Sequence, residues 1–103
     1  MNDIDIAKKF VAKAQSSAQR NIPFMLNFTE YKRLIHTRTC YYSGVELTFE
    51  PNLDNSFTLD RIDADYGYIS TNVVACSNKM NQKKKDLTME ELRMIFKKLK
   101  KRL

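Results

Sequence analysis

The stretch that decides the fold is Phe57–Lys85, which reads FTLDRIDADYGYISTNVVACSNKMNQKKK. Its first residues, Phe57–Asp60, alternate large apolar with polar side chains, which predicts a half-buried strand. The loop that follows contains Gly67, which we expect to take the positive φ that reverses the chain. The polar run Ser70–Asn72 offers N-cap side chains, and Val73–Lys85 is predicted to be a helix.

Two polar side chains of this stretch are expected to converge. Asp60 ends the strand, and Asn81 lies on the helix face that Val74 anchors in the core. Carboxylate and amide oxygens are ligands of hard cations such as Mg²⁺. Lysines surround the pair and provide positive charge for phosphate groups: Lys79, Lys83, Lys84 and Lys85. The stretch therefore predicts a site for a divalent cation and for a nucleic-acid phosphate.

The order of residues in this stretch resembles a known nuclease motif. LDRID at residues 59–63, GY at 67–68, NV at 72–73, Cys76, Asn81 and Lys84 follow one another as in the ββα-metal motif of HNH (His-Me finger) endonucleases. The similarity is greatest to the small phage-type members. The turn CYYSG at residues 40–44 is similar to the zinc-knuckle-like turn that precedes the motif in these proteins. The resemblance covers roughly residues 23–99.

The resemblance implies an α+β fold with a treble-clef-like ββα-metal core, in which a hairpin is followed by a helix, and with flanking helices. At 103 residues the chain is long enough for one modest core but not for two, so we expect a single domain. Its parts would be an N-terminal helix in residues 1–22, the knuckle and ββα motif in residues 40–85, and a basic C-terminal helix in residues 88–103.

The resemblance also implies roles for individual residues. Asp60 and Asn81 would hold a Mg²⁺ or Mn²⁺ ion, and Asn72 would brace the hairpin. The residue after the aspartate is normally the histidine that activates water, and here it is Arg61. The implied activity is metal-dependent hydrolysis of phosphodiester bonds in DNA, in a phage-associated setting.

Arg61 leaves the identity of the proton acceptor open. A guanidinium stays protonated at physiological pH, so Arg61 cannot act as a base, but it can grip a phosphate through two parallel hydrogen bonds. His36 is the only histidine of the chain, and a single histidine near a helix end is more often a surface or capping residue than a catalyst. The candidates for the proton acceptor are His36, Tyr41, Tyr42, Tyr66, Tyr68 and hydroxide.

The two cysteines occupy half of the positions of a treble-clef zinc site. Such a site takes two ligands from the knuckle and two from the start of the later helix. Cys40 is accompanied by Ser43, and Cys76 by Lys79, so each half of the site keeps one thiol and loses the other. We therefore expect Cys40 and Cys76 to be buried structural residues without zinc.

The charge balance favours a polyanionic partner. The chain has 18 Lys and Arg residues against 12 Asp and Glu, a net charge of +6, so a nucleic acid is the first expected partner. The resemblance implies that this partner is DNA, in the first place double-stranded. Two cysteines are too few for a disulfide scaffold, and no apolar run approaches the ~20 residues that span a bilayer. We expect no membrane partner and a location in the cytoplasm, that of the host cell if the chain is phage-encoded.

Three elements are predicted before the motif. Asp3–Arg20 is predicted to be a helix with a narrow apolar stripe, and its lysines indicate either a solvated face or a surface that follows phosphates. Thr29 is expected to cap a second helix from Glu30 to about Thr37. Val45–Phe49 alternates apolar with polar residues in the manner of a strand.

A further helix is predicted after the motif. Thr88 and Glu91 have the spacing of a capping box, which marks its start. Apolar residues then recur at helical spacing and define one face: Leu92, Ile95, Phe96, Leu99 and Leu103.

Two other functions remain compatible with these residues. Arg61 in the histidine position favours a weakened or inactive HNH-fold module that binds DNA, either as a repressor or by blocking the sites of a nuclease. The retained Asp60 and Asn81 favour catalysis, because a pure DNA-binding protein has no need of a metal pair. A structural or protein-interaction domain with an incidental positive charge is the third reading.

Overall fold

The computed structural model describes residues 1–102 of the chain. They contain two short strands and four helices, joined by irregular segments. Their bounds are α1 Asp3–Gln19, α2 Phe28–Ile35, β1 Phe57–Arg61, β2 Val73–Ser77, α3 Asn78–Lys85 and α4 Met89–Lys100. The strands form an antiparallel pair and α3 follows β2 directly, so the chain has the expected α+β fold. No helix in these residues combines the length and hydropathy needed to span a bilayer.

The predicted helix Val73–Lys85 is wrong for its first five residues, which form β2. These residues pair with β1 in a register that places Val74 opposite Asp60. The pairing overrides helix formation because two β-branched valines and the small residues after them fit a buried, pleated surface. Ser77, rather than the Ser70–Asn72 run, caps α3, since its hydroxyl accepts a hydrogen bond from the Met80 N–H at 3.2 Å.

This shift changes the position of Asn81. The side chain lies one turn after the start of α3, and Val74 lies on the neighbouring strand instead of the same helix. Asp60 therefore lies on the first strand, and Asn81 on the helix, of a strand–strand–helix unit. α3 packs on both strands of this unit.

The core joins α1 and α2 to the inner face of the hairpin. Its buried members are Ile6, Leu26, Tyr31, Ile35, Tyr68 and Val73. Phe10 is at the centre of an aromatic cluster, with ring centroids 5.3–5.8 Å from those of Phe24, Phe28 and Tyr31. Ile6 and Phe10 of the apolar stripe predicted for α1 pack here, but Ala18, assigned to the same stripe, is exposed, and Ser17 is buried at that end of the helix.

Three local predictions need correction. Asn27, not Thr29, caps α2 and forms a capping box with Glu30. Val45–Phe49 does not form a strand, because the residues make only isolated bridges and both end side chains stay about half exposed. Gly67 does not adopt a positive φ. Glycine is needed there because a Cβ would come within 2.9 Å of the Pro23 Cβ and would also collide with the Pro23 carbonyl.

α4 begins with the expected capping box between Thr88 and Glu91. Its predicted apolar face faces solvent over most of its length, since Ile95, Phe96 and Leu99 are exposed. Leu103, which was assigned to the same face, lies outside the described residues.

Candidate functional site

A cavity of about 800 Å³ lies at the end of the hairpin, between β1, α1, α3 and the first turns of α4. It is lined by both residues of the predicted metal pair, Asp60 and Asn81, and by Arg61. Basic side chains from α1 and its C-cap, from α3 and from α4 complete the wall: Lys13, Arg20, Lys84, Lys85 and Arg93. Both predicted cation ligands therefore border one cavity, whose wall also holds three further carboxylates: Asp63, Asp65 and Glu90.

Asp60 is the most constrained carboxylate of this cavity. It is 8% exposed and accepts a hydrogen bond of 2.5 Å from the Tyr42 hydroxyl. The Lys84 ammonium lies 3.0 Å from the same carboxylate oxygen, Oδ2, and also donates to the Arg61 carbonyl at 2.8 Å. Both contacts use Oδ2, so Oδ1 is the oxygen of Asp60 that a further ligand can take.

Tyr42 positions Asp60 and is unsuited to accept a proton. Burial, and then the hydrogen bond to the Asp60 carboxylate, raise the pKa of its hydroxyl far above the ordinary value. The knuckle places it there, because the Tyr41 N–H donates to the Ala75 carbonyl at 2.9 Å and so fixes the turn on β2. Sequence reasoning named Tyr42 only as a possible base, and no local pattern indicated its contact with a residue 18 positions away.

Arg61 contacts the loop that joins the two strands. One terminal nitrogen donates to the Ala64 and Tyr66 carbonyls, at 3.0 and 3.1 Å. Its guanidinium also lies 5.5 Å from the centroid of the Tyr68 ring. Arg61 thus braces this loop, and the other guanidinium nitrogen atoms are the ones left for the predicted contact with phosphate.

Tyr68 differs from Tyr42 in the charges near its hydroxyl. Burial by itself would raise the pKa of Tyr68, but the charges of Lys13 and Arg20 outweigh it and lower the pKa below the ordinary value of 10.0. The Lys13 ammonium lies 4.7 Å from the ring centroid. Tyr68 lines the same cavity as Asp60, whereas Tyr41 and Tyr66 are exposed and do not line it.

Asn72 ties the two ends of the loop together. Its amide oxygen accepts from the Asp63 N–H at 2.9 Å, and its amide nitrogen donates to the Asp63 and Gly67 carbonyls at 3.0 Å. The side chain is buried, with every polar atom engaged. This geometry is that of the bracing residue implied by the resemblance.

The two cysteines pack between the knuckle and β2. The Cys40 sulfur accepts a hydrogen bond from the Ser77 N–H at 3.3 Å, and the Cys76 sulfur lies 3.4 Å from the Thr58 hydroxyl. Burial raises the pKa of Cys76. Burial also opposes ionisation of Cys40, yet hydrogen bonds from Ser43 and its neighbours lower the pKa of that thiol to about 6.

The remaining predicted site residues divide between two surfaces. Lys84 and Lys85 line the cavity. Lys79 and Lys83 do not, because each is two positions, about half a helical turn, from Asn81 and so lies on the other side of α3. His36 ends α2 and lines a different, smaller cavity with Arg38 and Phe57. It is exposed and does not border the cavity of Asp60.

The donor set of the cavity fits a hard divalent cation in part. Asp60 Oδ1 and the Asn81 amide oxygen are the oxygen types that Mg²⁺ and Mn²⁺ take, and such ions retain several waters when few protein ligands are present. Lys84 competes with any cation for Asp60. Within residues 1–102, no group of three or more His, Cys, Asp and Glu side chains is arranged to hold a metal ion.

Comparison with known proteins finds similarity to a phage protein. The chain is 34% identical over 93 residues to an uncharacterised 29.0 kDa protein of the dda-modA intergenic region of Enterobacteria phage T4. The match covers 88% of this chain and 37% of that protein, so the chain spans little more than a third of the length of this relative. No known family profile matches the chain, and neither does any solved structure.

Proposed function

We propose that the chain is a metal-dependent endonuclease domain of the ββα-metal type that hydrolyses phosphodiester bonds in DNA. The observation that carries the proposal is a cavity lined by Asp60 and Asn81 together with six basic side chains: Lys13, Arg20, Arg61, Lys84, Lys85 and Arg93. The six basic side chains outnumber the four carboxylates of the wall, which suits a polyanionic substrate that arrives with a divalent cation. The similarity to a phage protein is compatible with action in the cytoplasm of a bacterial host.

Each residue of the cavity has a proposed task. Asp60 and Asn81 would hold Mg²⁺ or Mn²⁺, and the ion would supply Lewis-acid stabilisation of negative charge on the leaving oxygen. Tyr42 keeps the Asp60 carboxylate in place. Lys85 and the free nitrogen atoms of Arg61 bind the phosphate oxygens and neutralise charge in the transition state.

Tyr68 is the proposed proton acceptor. It is the candidate that both lines the cavity and has a lowered pKa. A phenolate formed beside Lys13 and Arg20 takes a proton from the attacking water, and general-base help of this kind contributes about 10²–10⁴-fold. The charges of Lys13 and Arg20 stabilise the phenolate, so it forms at a lower pH than the phenolate of an ordinary tyrosine.

The second candidate function is a binding module without catalysis. The contact between Lys84 and Asp60 favours it, because an internal ammonium neutralises the carboxylate that a metal needs. In that case the basic cavity binds DNA phosphates directly. The domain would then act as a repressor or would shield the cleavage sites of a nuclease.

One experiment separates the two functions. Supercoiled plasmid is incubated with the protein and Mg²⁺ or Mn²⁺, with and without a chelator, and nicked and linear products are followed on a gel. We expect cleavage that the chelator stops and that Asp60→Asn abolishes, since this change keeps the size of the side chain and removes its charge. Asp54→Asn, outside the cavity, is the matched control and should cleave normally. DNA binding without cleavage by the wild type would establish the binding module.

A further inference from the structure

α4 carries an apolar face that nothing in residues 1–102 covers. Ile95, Phe96 and Leu99 are 44%, 65% and 50% exposed, and their spacing places them on one side of the helix. No Cα atom of α4 comes within 8 Å of another helix or strand in this part of the chain. Only the first turns, with Met89 and Leu92 half-buried, border the cavity described above. An apolar helix face that projects from the body in this way is typical of an interaction surface.

The charges of α4 indicate what covers this face. The first turn is acidic, with Glu90 and Glu91, and the last turn is basic, with Lys97, Lys98 and Lys100. An antiparallel copy of the same helix would set each acidic end against a basic end. A parallel copy would set like charges beside each other, which is unfavourable.

Glu91 and Lys98 make the match specific. Lys98 is seven positions after Glu91, which is close to two turns, so both lie on the same flank of the apolar face. With Ile95 near a twofold axis, Glu91 of one copy lies opposite Lys98 of the other, and symmetry forms this pair twice. Both side chains are exposed. Glu91 is ionised for this purpose, because hydrogen bonds from Thr88 lower its pKa.

We propose that α4 mediates a symmetric homodimer in which two antiparallel copies pack through Ile95, Phe96 and Leu99 and pair Glu91 with Lys98. The proposal does not depend on the nuclease activity. A helix of 12 residues is about 18 Å long, so the contact is smaller than the roughly 800 Å² per partner of a standard interface. The dimer is therefore weak and forms with rising protein concentration.

The apolar contact is tested by sedimentation velocity of the full chain over a range of concentrations. The wild type should pass from monomer to dimer as concentration rises. Phe96→Glu should weaken dimerisation at least about tenfold, because it puts a charge into the centre of the contact. Met94→Glu is the matched control: Met94 is 61% exposed and lies on the opposite side of the helix, so this change should leave the dimer intact. Circular dichroism checks that both variants keep their helices.

The orientation is tested by a double-mutant cycle. Lys98→Glu should weaken the dimer, because it places two carboxylates opposite each other. The same change in a Glu91→Gln background should weaken it clearly less, since glutamine keeps the capping contact with Thr88 and carries no charge. Equal weakening in both backgrounds would overturn the antiparallel arrangement.

Other outcomes overturn the proposal as a whole. A wild type that stays monomeric at every concentration, or a dimer that Phe96→Glu leaves unchanged, excludes α4 as the interface. A monomer that binds vesicles of anionic phospholipid through Phe96 would assign the face to a membrane surface instead.

Discussion

The Lys84 ammonium lies 3.0 Å from Asp60 Oδ2, on the carboxylate proposed to hold a metal ion. Both side chains are largely buried, so water screens the contact only weakly. Lys84 also donates to the carbonyl of Arg61 and so links α3 to the end of β1. The lysine thus stabilises the Asp60 carboxylate and at the same time competes with a cation for it.

Replacement of Lys84 should separate these two effects. Lys84→Met keeps the aliphatic stem and removes the charge, so we expect a loss of roughly 3 kcal/mol in the free energy of unfolding, as for a broken buried pair. Mg²⁺ should restore more stability to this variant than to the wild type, because the Asp60 carboxylate keeps its hydrogen bond from Tyr42 but no longer has a cationic partner. Chemical denaturation with and without Mg²⁺ measures both. Lys83→Met, on the exposed side of α3, is the control and should change neither value; an unchanged Mg²⁺ effect in Lys84→Met would exclude competition at Asp60.

Arg61 can be examined by a series of three variants. Arg61→Ala should lower stability by about 1 kcal/mol, because the two hydrogen bonds to the loop are lost. Arg61→Lys should restore cleavage only in part, since an ammonium lacks the planar fork of a guanidinium. Arg61→His should cleave faster than Arg61→Ala, because an imidazole can accept a proton near neutral pH. Single-turnover cleavage rates rank the three variants. Equal rates for Arg61→Ala and Arg61→His would contradict the expected gain from the imidazole.

The lowered pKa of Tyr68 predicts a pH dependence of stability and of rate. A phenol whose pKa is lower in the folded state adds stability as the pH rises from this folded value towards the unfolded value near 10.0, and the gain is absent below the folded pKa. The difference in unfolding free energy between wild type and Tyr68→Phe should therefore grow over this range. Cleavage by the wild type should rise with pH through the same pKa, and Tyr68→Phe should lose this step. Tyr66→Phe, an exposed tyrosine, should keep both profiles; a retained step in Tyr68→Phe would exclude Tyr68 as the proton acceptor.

Gly67→Ala should destabilise the fold by about 1–3 kcal/mol, the range for an overpacked core position. The added Cβ would lie 2.9 Å from the Pro23 Cβ and would press on a carbonyl that accepts from the Tyr68 N–H. Gly44→Ala meets no atom within 4 Å but has a φ of 76°, so its cost is backbone strain alone. Thermal unfolding compares the two. In Gly44→Asn most of the loss should disappear, since asparagine tolerates this φ, whereas Gly67→Asn should be worse than Gly67→Ala.

DNA binding should weaken steeply with salt, and the lysines should contribute unequally. Each phosphate contact adds about 0.9 to the slope of log affinity against log salt concentration. Lys85→Gln should reduce the slope by about this amount because Lys85 lines the cavity. Lys79→Gln, on the other side of α3, should leave the slope nearly unchanged. Fluorescence anisotropy with a labelled duplex measures the slopes, and equal losses would show that the cavity is not the DNA-binding surface.

The sequence by itself determined the elements whose signals are local. The apolar stripe of α1, the alternation in β1 and the capping box at Thr88 and Glu91 all depend on residues within a few positions of each other. These features do not require knowledge of a distant partner. Asp60 and Asn81 do line one cavity, but the helix face by which they were expected to meet is wrong, because Val74 lies on β2.

Only the tertiary structure decided which residues touch the site. Val73–Ser77 forms a strand because it pairs with β1. The N-cap side chains of Ser70–Asn72, which predicted a helix here, stabilise a helix less than this pairing stabilises the strand. Gly67 proved necessary for its close approach to Pro23, a residue from a separate segment. The partners of Asp60, Tyr42 and Lys84, lie 18 and 24 positions away in opposite directions along the chain. Contacts of this kind depend on how the elements pack, and they decide which oxygen of Asp60 is left for a further ligand.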